Sequence, residues 1–410
     1  MSEKGGKKSI WIISAFTRFD QNSIHAGRFL FIADRAEAAG YDVTFYTSKF
    51  DHLLKKNKVA PKTKNIKFVF VYEPGYAKNV SLKRIISHLI FSAGLFLHIF
   101  FTLLLKERPE CIYCALPHNL GAVFIGTLAK IFRIKFITDK HDTWPENILS
   151  VYQLKTWQKP FYYAWKFTAD LAIYLSDSIF AESNRYAERA NEVRTRYRKS
   201  LAKAVYLGGD GEYYDTVKGK VQLPASIGNG FPKFVYAGSL GLNYDLEMVL
   251  KTFSRFNRCY PKSWLVLLGG GECEADLRRY AESLHSNIWF SGYIDHASLV
   301  QILRKMDFGI NSFAAGGNVA YSYKFNDYIL AGIPVINSLG GEVKDLISRY
   351  EIGYNYTIGN ANELYDALES ACLNNNSKTL SKNVRRFSSA YLNWHKTYRP
   401  IFQELLSGCH

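Results

Sequence analysis

The sequence predicts an α/β protein made of two doubly wound domains, and three observations support this fold class. First, 410 residues are more than one domain usually contains. Second, short apolar runs alternate with helical patterns in both halves, beginning with a predicted strand at 9–15, a helix up to Gly40 and a strand at 41–47. Third, a stretch rich in Gly and Asp separates the halves. In such folds ligands bind beyond the carboxyl ends of the strands, so residues there are candidates for a functional site.

The separating stretch sets the predicted domain boundaries. We predict a first domain at 1–207, a linker at 208–232, a second domain at 233–388 and a helical terminal segment at 389–410. In the first domain, the loop after the first strand is expected to face a ligand, and it contains Arg18, Asn22, His25 and Gly27. A solvated loop is the alternative interpretation.

The most apolar stretch of the chain, at 85–105, would span roughly 32 Å as a helix, which is enough to cross a bilayer. A span is nevertheless disfavoured, because the strands before and after it are expected to join one sheet through a right-handed crossover. Two interpretations remain: a long core helix, and a helix with one face in lipid. Basic residues flank the stretch and favour the second: Lys78, Lys83, Arg84, Lys106 and Arg108.

The formal net charge of +16 predicts a polyanionic partner. No helix-turn-helix, zinc-finger or RNA-binding pattern is found, so an anionic membrane surface is expected rather than nucleic acid. A predicted basic helix at 185–203 adds to this expectation. Cys111 and Cys114 lie in an apolar run and are interpreted as core residues rather than a zinc or redox pair. Sparse cysteines and the lack of a signal peptide predict a cytoplasmic protein peripheral to the membrane.

The most informative stretch is 321–341, which predicts a helix, a sharp stop, a short buried strand and a glycine turn. Ser322 is the predicted N-cap, and Gly332 with Pro334 ends the helix. Lys324 falls in the first turn, where the helix dipole disfavours a cation. A bound anion would resolve the conflict, and Asp327 on the same face would complete a nucleotide site. The alternative is a solvated lysine that pairs with Asp327.

Residues 324–336, Lys-Phe-Asn-Asp-Tyr-Ile-Leu-Ala-Gly-Ile-Pro-Val-Ile, resemble the donor-site signature of GT-B glycosyltransferases of family 4. The resemblance implies a GT-B fold, two Rossmann-like domains facing across a cleft, with the last helix crossing back to the first domain. It places Lys324 at the donor diphosphate as a catalytic residue and Asp327 at the donor ribose. The sequence departs from the family by having Asp for the usual Glu and Val319 for a second acidic residue. Contacts to the donor sugar are therefore expected from the Gly316–Gly317 backbone.

Further donor-binding candidates follow the predicted strands of the second domain. In the family, the segment after the first of these strands carries basic residues, whereas here Ser239 follows Gly238, so backbone amides are expected to bind phosphate. Gly270 resembles the turn that approaches the nucleotide. By the same resemblance, Tyr293 and Ile294 hold the nucleobase. Gly340 and Gly341 are either a further anion site or a plain helix start.

The segment Lys140-His-Asp-Thr-Trp-Pro-Glu146 follows a strand of the first domain. It resembles a segment of the family 4 enzymes that build bacterial surface polysaccharides. The resemblance implies that His141 lies near the reacting centre as a catalytic residue, and that Asp142 and Glu146 face the acceptor. The alternative is structural: His141 would cap a strand and Trp144-Pro145 would fix a turn.

The predicted function is retaining transfer of a sugar from a nucleotide-sugar, taken as UDP-linked, to a polyprenyl-diphosphate-linked saccharide in surface-polysaccharide assembly. The resemblance implies no metal and no cofactor besides the donor, and the absence of an Asp-x-Asp motif agrees with this. Two alternatives stay open: a nucleotide-sugar epimerase of the same fold, and a non-catalytic partner of another transferase.

Overall fold

The computed structural model describes residues 8–17, 19, 27–52, 54–61, 65–77, 81–105, 108–151, 153–316, 319–373 and 377–407. The chain forms two compact units. One comprises the residues up to Tyr206 together with those from Thr397 onwards, and the other is Leu207–Lys396.

The first unit is built on a seven-stranded sheet in which all neighbouring strands are parallel, in the order β5-β2-β1-β6-β7-β8-β9. Its central strands are continuous apolar runs, as expected where helices cover both faces of a parallel sheet. A short antiparallel pair, β3 and β4, stands apart from this sheet. The strands are β1 (Ser9–Ile13), β2 (Asp42–Ser48), β3 (Phe50–Asp51), β4 (Lys56–Asn57), β5 (Ile66–Val71), β6 (Cys111–Leu116), β7 (Lys135–Lys140), β8 (Ser178–Ala181) and β9 (Lys203–Ala204).

In the described part of this unit the strands are connected by the helices α1 (Arg28–Ala38), α2 (Leu82–Leu104), α3 (Asn119–Phe132), α4 (Ile148–Val151), α5 (Lys159–Leu175) and α6 (Asn184–Arg196). By length and hydropathy α2 could cross a bilayer. It instead connects β5 to β6 within one sheet, as the sequence predicted, and buries a stripe of side chains against it: Phe91, Leu95, Ile99 and Leu103.

The second unit has a six-stranded parallel sheet in the order β12-β11-β10-β13-β14-β15. The chain leaves the central strand β10 first toward one edge and then toward the other, so the order reverses between β10 and β13, which is where such sheets bind ligands. The strands are β10 (Lys233–Ala237), β11 (Trp264–Leu268), β12 (Ile288–Phe290), β13 (Phe308–Asn311), β14 (Val335–Asn337) and β15 (Gly353–Asn355).

The helices of the second unit are α7 (Gly211–Thr216), α8 (Ala225–Gly228), α9 (Leu246–Cys259), α10 (Glu274–Ser283), α11 (His296–Leu303), α12 (Tyr323–Leu330), α13 (Glu342–Tyr350), α14 (Ala361–Leu373) and α15 (Ser377–Phe387). The chain ends with α16 (Trp394–Thr397) and α17 (Arg399–Leu406). Helix α17 belongs to the first unit, where the Lys135 ammonium lies 2.8 Å from the Glu404 carboxylate. The predicted fold class, α/β with two Rossmann-like domains, is confirmed.

Three sequence predictions need correction. Residues 208–232, predicted as a linker, contain α7 and α8 and belong to the second unit, as do residues 389–396. The helix predicted at 185–203 ends at Arg196. Its face is not simply solvated, because Arg194 is buried and donates to the Ser176 and Asp177 carbonyls. Pairing with backbone oxygens inside the protein removes Arg194 from any lipid-binding surface.

Candidate active site

The carboxyl ends of β10 and β11 are joined by glycine turns that pack backbone against backbone. A Cβ atom at Gly269 would lie 2.1 Å from the Gly238 carbonyl oxygen, and one at Gly271 would lie 2.4 Å from the Leu240 carbonyl oxygen. Gly238 and Gly269 also have φ angles of +145° and +128°, which favour glycine. These glycines therefore bring together the loops that follow β10 and β11, and the β10 loop borders the point where the strand order reverses.

Lys324 reaches this point from the first turn of α12. Ser322 caps the helix and accepts a hydrogen bond from the Phe325 amide at 3.5 Å, as the sequence predicted. The Lys324 side chain is only 8% exposed. Its ammonium lies 3.6 Å from the ring centroid of Tyr244 and 5.1 Å from that of Phe313. Because a Cβ at Gly238 would lie 2.7 Å from Lys324 Cε, a larger residue at 238 would displace the lysine.

The Lys324 ammonium is an uncompensated buried charge. Within the described part of the chain it makes no hydrogen bond and no ion pair, and its interaction with Asp327 is long-range. Burial lowers the pKa of Lys324 to about 7, against the opposing effect of Asp327. The alternative of a solvated lysine paired with Asp327 is therefore wrong. An unpaired buried cation costs free energy, which an anionic ligand would offset.

Asp327 lies one turn further along α12. Its carboxylate accepts a hydrogen bond of 2.5 Å from the Tyr214 hydroxyl. Burial raises the pKa of Asp327, while the nearby His296 and the Tyr214 hydrogen bond lower it. Lys324 and Asp327 thus share one helix face but do not neutralise each other, which leaves both able to contact a ligand.

The structure brings several other predicted donor-site residues to the same edge of the sheet. Gly270 follows β11, and a Cβ there would lie 3.8 Å from the Tyr293 amide. Tyr293 and Ile294 follow β12, whose end is tied to β11 by a 3.0 Å hydrogen bond from the Gly269 amide to the Gly292 carbonyl. The Tyr293 side chain is 68% exposed. A base lying along this edge would therefore meet Tyr293 and the Gly270 backbone.

The remaining donor-side candidates are less closely connected to Lys324. The Ser239 carbonyl accepts a 2.7 Å hydrogen bond from Tyr236, whose ring lies 5.3 Å from the Lys324 ammonium. Gly340 and Gly341 follow β14, and Gly341 is the N-cap of α13 with φ +66°. Gly316 lies in a turn with φ +90°, and Gly317 lies outside the described residues.

In the first unit, His141 directly follows β7 and lies between two buried carboxylates. Its Nδ1 is 3.1 Å from Glu182 Oε2, and its Nε2 is 3.6 Å from Asp139 Oδ1. Asp139 also binds Arg28 Nε at 2.7 Å and accepts a hydrogen bond from Tyr113. Burial alone would lower the pKa of His141, but Asp139 and Glu182 raise it to about 9. The two carboxylates therefore favour the imidazolium form of His141.

The two acidic residues after His141 have different surroundings. Asp142 accepts a 3.0 Å hydrogen bond from the Trp144 amide, and burial raises its pKa to about 6. Glu146 forms an ion pair of 2.5 Å with Arg189 and one of 3.3 Å with Lys166. Glu146 is thus already engaged by two cations, which favours a structural role for it over the predicted contact with an acceptor.

Gly27 is the N-cap of α1 with φ +136°, and the other candidates of its loop, Arg18, Asn22 and His25, lie outside the described residues. Sequence reasoning missed the residues that hold the two cations: the aromatic rings around Lys324 and the carboxylates around His141. Asp139, two residues before His141 on β7, carried a usable signal, since a charged residue inside an apolar strand is rarely without a partner. For Glu182, Tyr244 and Phe313 the sequence carried no such signal.

Residues 231–374 match the family model described as glycosyl transferases group 1. The second unit therefore contains a group 1 glycosyltransferase domain. The family match covers most of the second unit, including Lys324, Asp327 and the glycine turns around them. The predicted family resemblance is thereby confirmed, with the donor-site signature lying inside the matched region.

Solved structures with similar folds cover nearly the whole chain. They include HepE from Anabaena in complex with UDP-glucose, with a TM-score of 0.66 and 16% identity over 97% of this chain and 99% of that one. Sucrose-phosphate synthase from Thermosynechococcus elongatus has a TM-score of 0.71 and 17% identity, covering 98% and 99%. A putative UDP-N-acetylglucosamine 2-epimerase from Listeria monocytogenes has a TM-score of 0.63 and 11% identity over 98% of this chain and 96% of that one. No curated protein sequence matches this chain. At these identities the likeness establishes the GT-B fold alone.

Proposed function

We propose that this glycosyltransferase moves a sugar, with retention of anomeric configuration, from a UDP-sugar to a lipid-linked saccharide at an anionic membrane surface. The proposed acceptor class is a polyprenyl-diphosphate-linked saccharide of surface-polysaccharide assembly. The observation that carries the donor half of this proposal is the uncompensated charge of Lys324. The observation that carries the acceptor half is an exposed apolar surface on the first unit.

The donor diphosphate is the ligand that best fits Lys324. Its ammonium offers three N–H donors and extends from the first turn of α12, where the helix dipole also attracts anions. When the glycosidic bond breaks, the leaving diphosphate gains negative charge, which these donors would stabilise without reorganisation. A structurally similar protein, HepE, was crystallised with UDP-glucose, which supports UDP as the nucleotide.

The rest of the donor would lie along the edge of the second sheet. Asp327 would accept hydrogen bonds from the ribose hydroxyls, because a carboxylate has more acceptor positions than its one bond to Tyr214 uses. Tyr293 and Ile294 would flank the base. The backbone of Gly238, Ser239 and Gly270 would contact the phosphates and the sugar, with the Lys324 side chain beside Gly238.

The apolar surface of the first unit spans three neighbouring helices, since α2 packs on α3 and α3 on α5. The exposed residues of α2 from Ile85 to Leu104 are apolar apart from His98, and Phe101 is 57% exposed. A water-facing helix would carry charges on this side. Together the helices expose large side chains at Ile85, Ile86, Leu89, Leu97, Phe101, Leu104, Ile131, Phe161, Tyr163 and Phe167.

The charge around this surface favours anionic lipid over a protein partner. The sequence from 81 to 105 contains no acidic residue. Exposed lysines stand at the starts of the helices, at 83 before the α2 face and at 155 and 159 before the α5 face. Exposed aromatic and aliphatic side chains with lysines beside them are typical of helices that lie in the headgroup region of a membrane.

At the first unit's site, the imidazolium of His141 would supply positive charge close to the reacting centre. Asp142, whose pKa is raised to about 6, would be ionised at neutral pH and could accept a hydrogen bond from the acceptor hydroxyl. Neither role requires a metal, so we expect transfer to proceed in the presence of EDTA.

The test of the reaction is a panel of nucleotide-sugars, with and without a short-chain prenyl-diphosphate-linked sugar. Slow hydrolysis of one UDP-sugar, accelerated by the acceptor, is the expected result, and NMR of the product should show the donor's anomeric configuration. UDP binding without turnover on any acceptor would instead indicate a non-catalytic protein. Isomerisation of UDP-N-acetylglucosamine without release of UDP would indicate an epimerase, whose fold this chain also resembles.

The test of the surface is flotation with vesicles of phosphatidylcholine alone or mixed with phosphatidylglycerol. We expect binding to the anionic vesicles, and a loss of at least about tenfold in the double variant Leu97→Ser, Phe101→Ser, since each buried side chain contributes roughly 1.5–3 kcal/mol. Leu242→Ser is the control, because Leu242 is an exposed apolar residue of the second unit. Equal binding by both variants would refute the assignment of this surface.

A further inference from the structure

The segment by which the chain enters the second unit reaches the predicted donor site. Asp210 caps α7 by accepting hydrogen bonds from the Glu212 amide at 3.0 Å and the Tyr213 amide at 3.2 Å. The short helix points Tyr214 into the unit, where the side chain is 5% exposed. There its hydroxyl donates to Asp327 Oδ1 at 2.5 Å.

The same segment is fastened to α11, which follows the predicted base-binding turn. The Gly219 amide donates to Gln301 Oε1 at 2.7 Å, and the Lys220 amide donates to Ser298 Oγ at 3.0 Å. A Cβ at Gly219 would lie 2.2 Å from Ser298 Cα, so the segment fits tightly. These contacts hold the segment that follows Tyr214 against α11.

His296, the first residue of α11, completes the surroundings of the Tyr214 hydroxyl. Its Nε2 lies 3.4 Å from Tyr214 Oη and its Nδ1 lies 3.4 Å from Tyr213 Oη. The Tyr213 ring is nearly parallel to the imidazole, with 9° between the planes. The Tyr214 hydroxyl therefore has one partner to donate to, Asp327, and one neighbour that can donate to it.

We propose that Tyr214 is a positioning residue of the donor site, holding the Asp327 carboxylate ionised and oriented toward the ribose hydroxyls of the nucleotide. The inference rests on the proposed function, in which a nucleotide-sugar is the donor. Burial of Asp327 favours its neutral form, and a neutral carboxyl would offer one acceptor fewer to the ribose. The hydroxyl of Tyr214 opposes this and fixes the rotation of the carboxylate while leaving its other lone pairs free.

The simpler explanation is that the bond only ties the entering segment to α12. The two explanations differ in what the bond does to ribose recognition. A structural tie would affect all ligands of the site alike. A positioning bond would act on the ribose hydroxyls alone, so removing it should cost nothing when the ligand has no such hydroxyls.

The experiment measures affinities for UDP and for 2′,3′-dideoxy-UDP by calorimetry, in the wild-type protein and in Tyr214→Phe. The wild type should prefer UDP. In Tyr214→Phe the affinity for UDP should fall about tenfold, as expected for a hydrogen bond to a charged group, while the affinity for dideoxy-UDP stays unchanged. With an active donor, KM should rise while kcat is retained, because the reacting centre is not altered.

Tyr260→Phe is the matched control. Its hydroxyl also donates to a carboxylate of the second unit, at 3.4 Å to Glu369, and it should leave both affinities unchanged. In an Asp327→Ala background, Tyr214→Phe should have no further effect on the preference for UDP. If Tyr214→Phe instead disturbed the fold, it would weaken UDP binding in the Asp327→Ala background as well.

Equal losses for both ligands in Tyr214→Phe would overturn the positioning role while leaving the nucleotide donor in place. Equal affinity of the wild type for UDP and dideoxy-UDP would overturn both this inference and the assignment of Asp327 to the ribose. Undetectable binding of UDP to the wild type would overturn the proposed function itself, and the inference with it.

Discussion

A largely buried cation, His141 in the first unit and Lys324 in the second, lies just beyond the carboxyl ends of the strands, and the two are held in opposite ways. His141 lies 3.1 Å from one carboxylate and 3.6 Å from another, and both carboxylates are buried. Lys324 lies among aromatic rings, and among the residues that the structure describes no carboxylate is within ion-pair distance of it. The pKa of His141 is raised to about 9, whereas that of Lys324 is lowered to about 7.

The difference separates a charge that the fold compensates from one that it leaves for a ligand. Charge pairing around His141 favours the folded protein, so this cation is part of the structure whatever else it does. The charge of Lys324 opposes folding until an anion binds. Functional sites commonly lower the stability of the ligand-free protein, because activity and stability conflict there. We therefore expect Lys324, rather than His141, to bind an anionic ligand.

The largest effect should come from Lys324→Met, which keeps the length of the side chain and removes its charge. Loss of such a donor typically lowers the rate by about two to three orders of magnitude. At the same time the ligand-free second unit should become more stable, because a desolvated cation is replaced by an apolar side chain. Steady-state turnover and the thermal unfolding of the ligand-free protein measure the two effects.

Lys251→Met is the control for this substitution, because Lys251 is an exposed lysine of α9 in the same unit. It should change neither turnover nor stability. Normal turnover in Lys324→Met would contradict the assignment of Lys324 to the diphosphate. A large drop in its stability would show that the ammonium has a structural partner, and would remove the contrast with His141.

The next effect concerns pH. Because the pKa of Lys324 is lowered to about 7, the ligand-free lysine loses its proton above that pH, and a bound diphosphate should restore it. The affinity for UDP should therefore fall by up to about tenfold per pH unit above pH 7, a range in which the terminal phosphate, with a pKa of about 6, is already ionised. Calorimetry at pH 8 in buffers of different ionisation enthalpy should show uptake of about one proton.

Other groups could also take up protons on binding, and Lys324→Met separates their contribution. In this variant the proton uptake should disappear and the residual affinity should become nearly flat from pH 7 to pH 9. A wild-type protein that binds UDP with no proton uptake at pH 8 would show that the diphosphate does not lie at Lys324.

Much of this arrangement could be predicted from the sequence because its causes are local. Ser322, Gly332 and Pro334 delimit α12 through capping and backbone geometry, so the position of Lys324 in the first turn followed directly. The conflict between a lysine and the helix dipole then indicated an anion site. The strand order likewise followed from alternating apolar runs and short connections.

The partners of the two cations could not be predicted, because they come from distant parts of the chain. Tyr244 lies 80 residues before Lys324 and reaches it only through the pairing of β10 with β13. Glu182 lies 41 residues after His141 and reaches it through the pairing of β7 with β8. The same reason explains the error on the basic helix, since the interior carbonyls that bind Arg194 are set by tertiary packing.

The smallest effect should come from Glu182→Gln, which keeps an acceptor for His141 Nδ1 but removes one of the two charges that hold it. Replacing a charge-assisted hydrogen bond with a neutral one costs about 1 kcal/mol, which lowers the melting temperature of a domain of this size by about 2–4 °C.

The effect should depend on pH. Because the folded-state pKa of His141 is raised above its ordinary value of 6.5, the contribution of His141 to the free energy of unfolding is complete below about pH 6.5 and is lost as the pH rises through about 9. The deficit of Glu182→Gln should accordingly be largest near pH 6 and small near pH 9, whereas Glu188→Gln, a change on the exposed face of α6, should show no such trend. A deficit that does not vary with pH would mean that His141 is not held as a cation, and the contrast between the two sites would then rest on Lys324 alone.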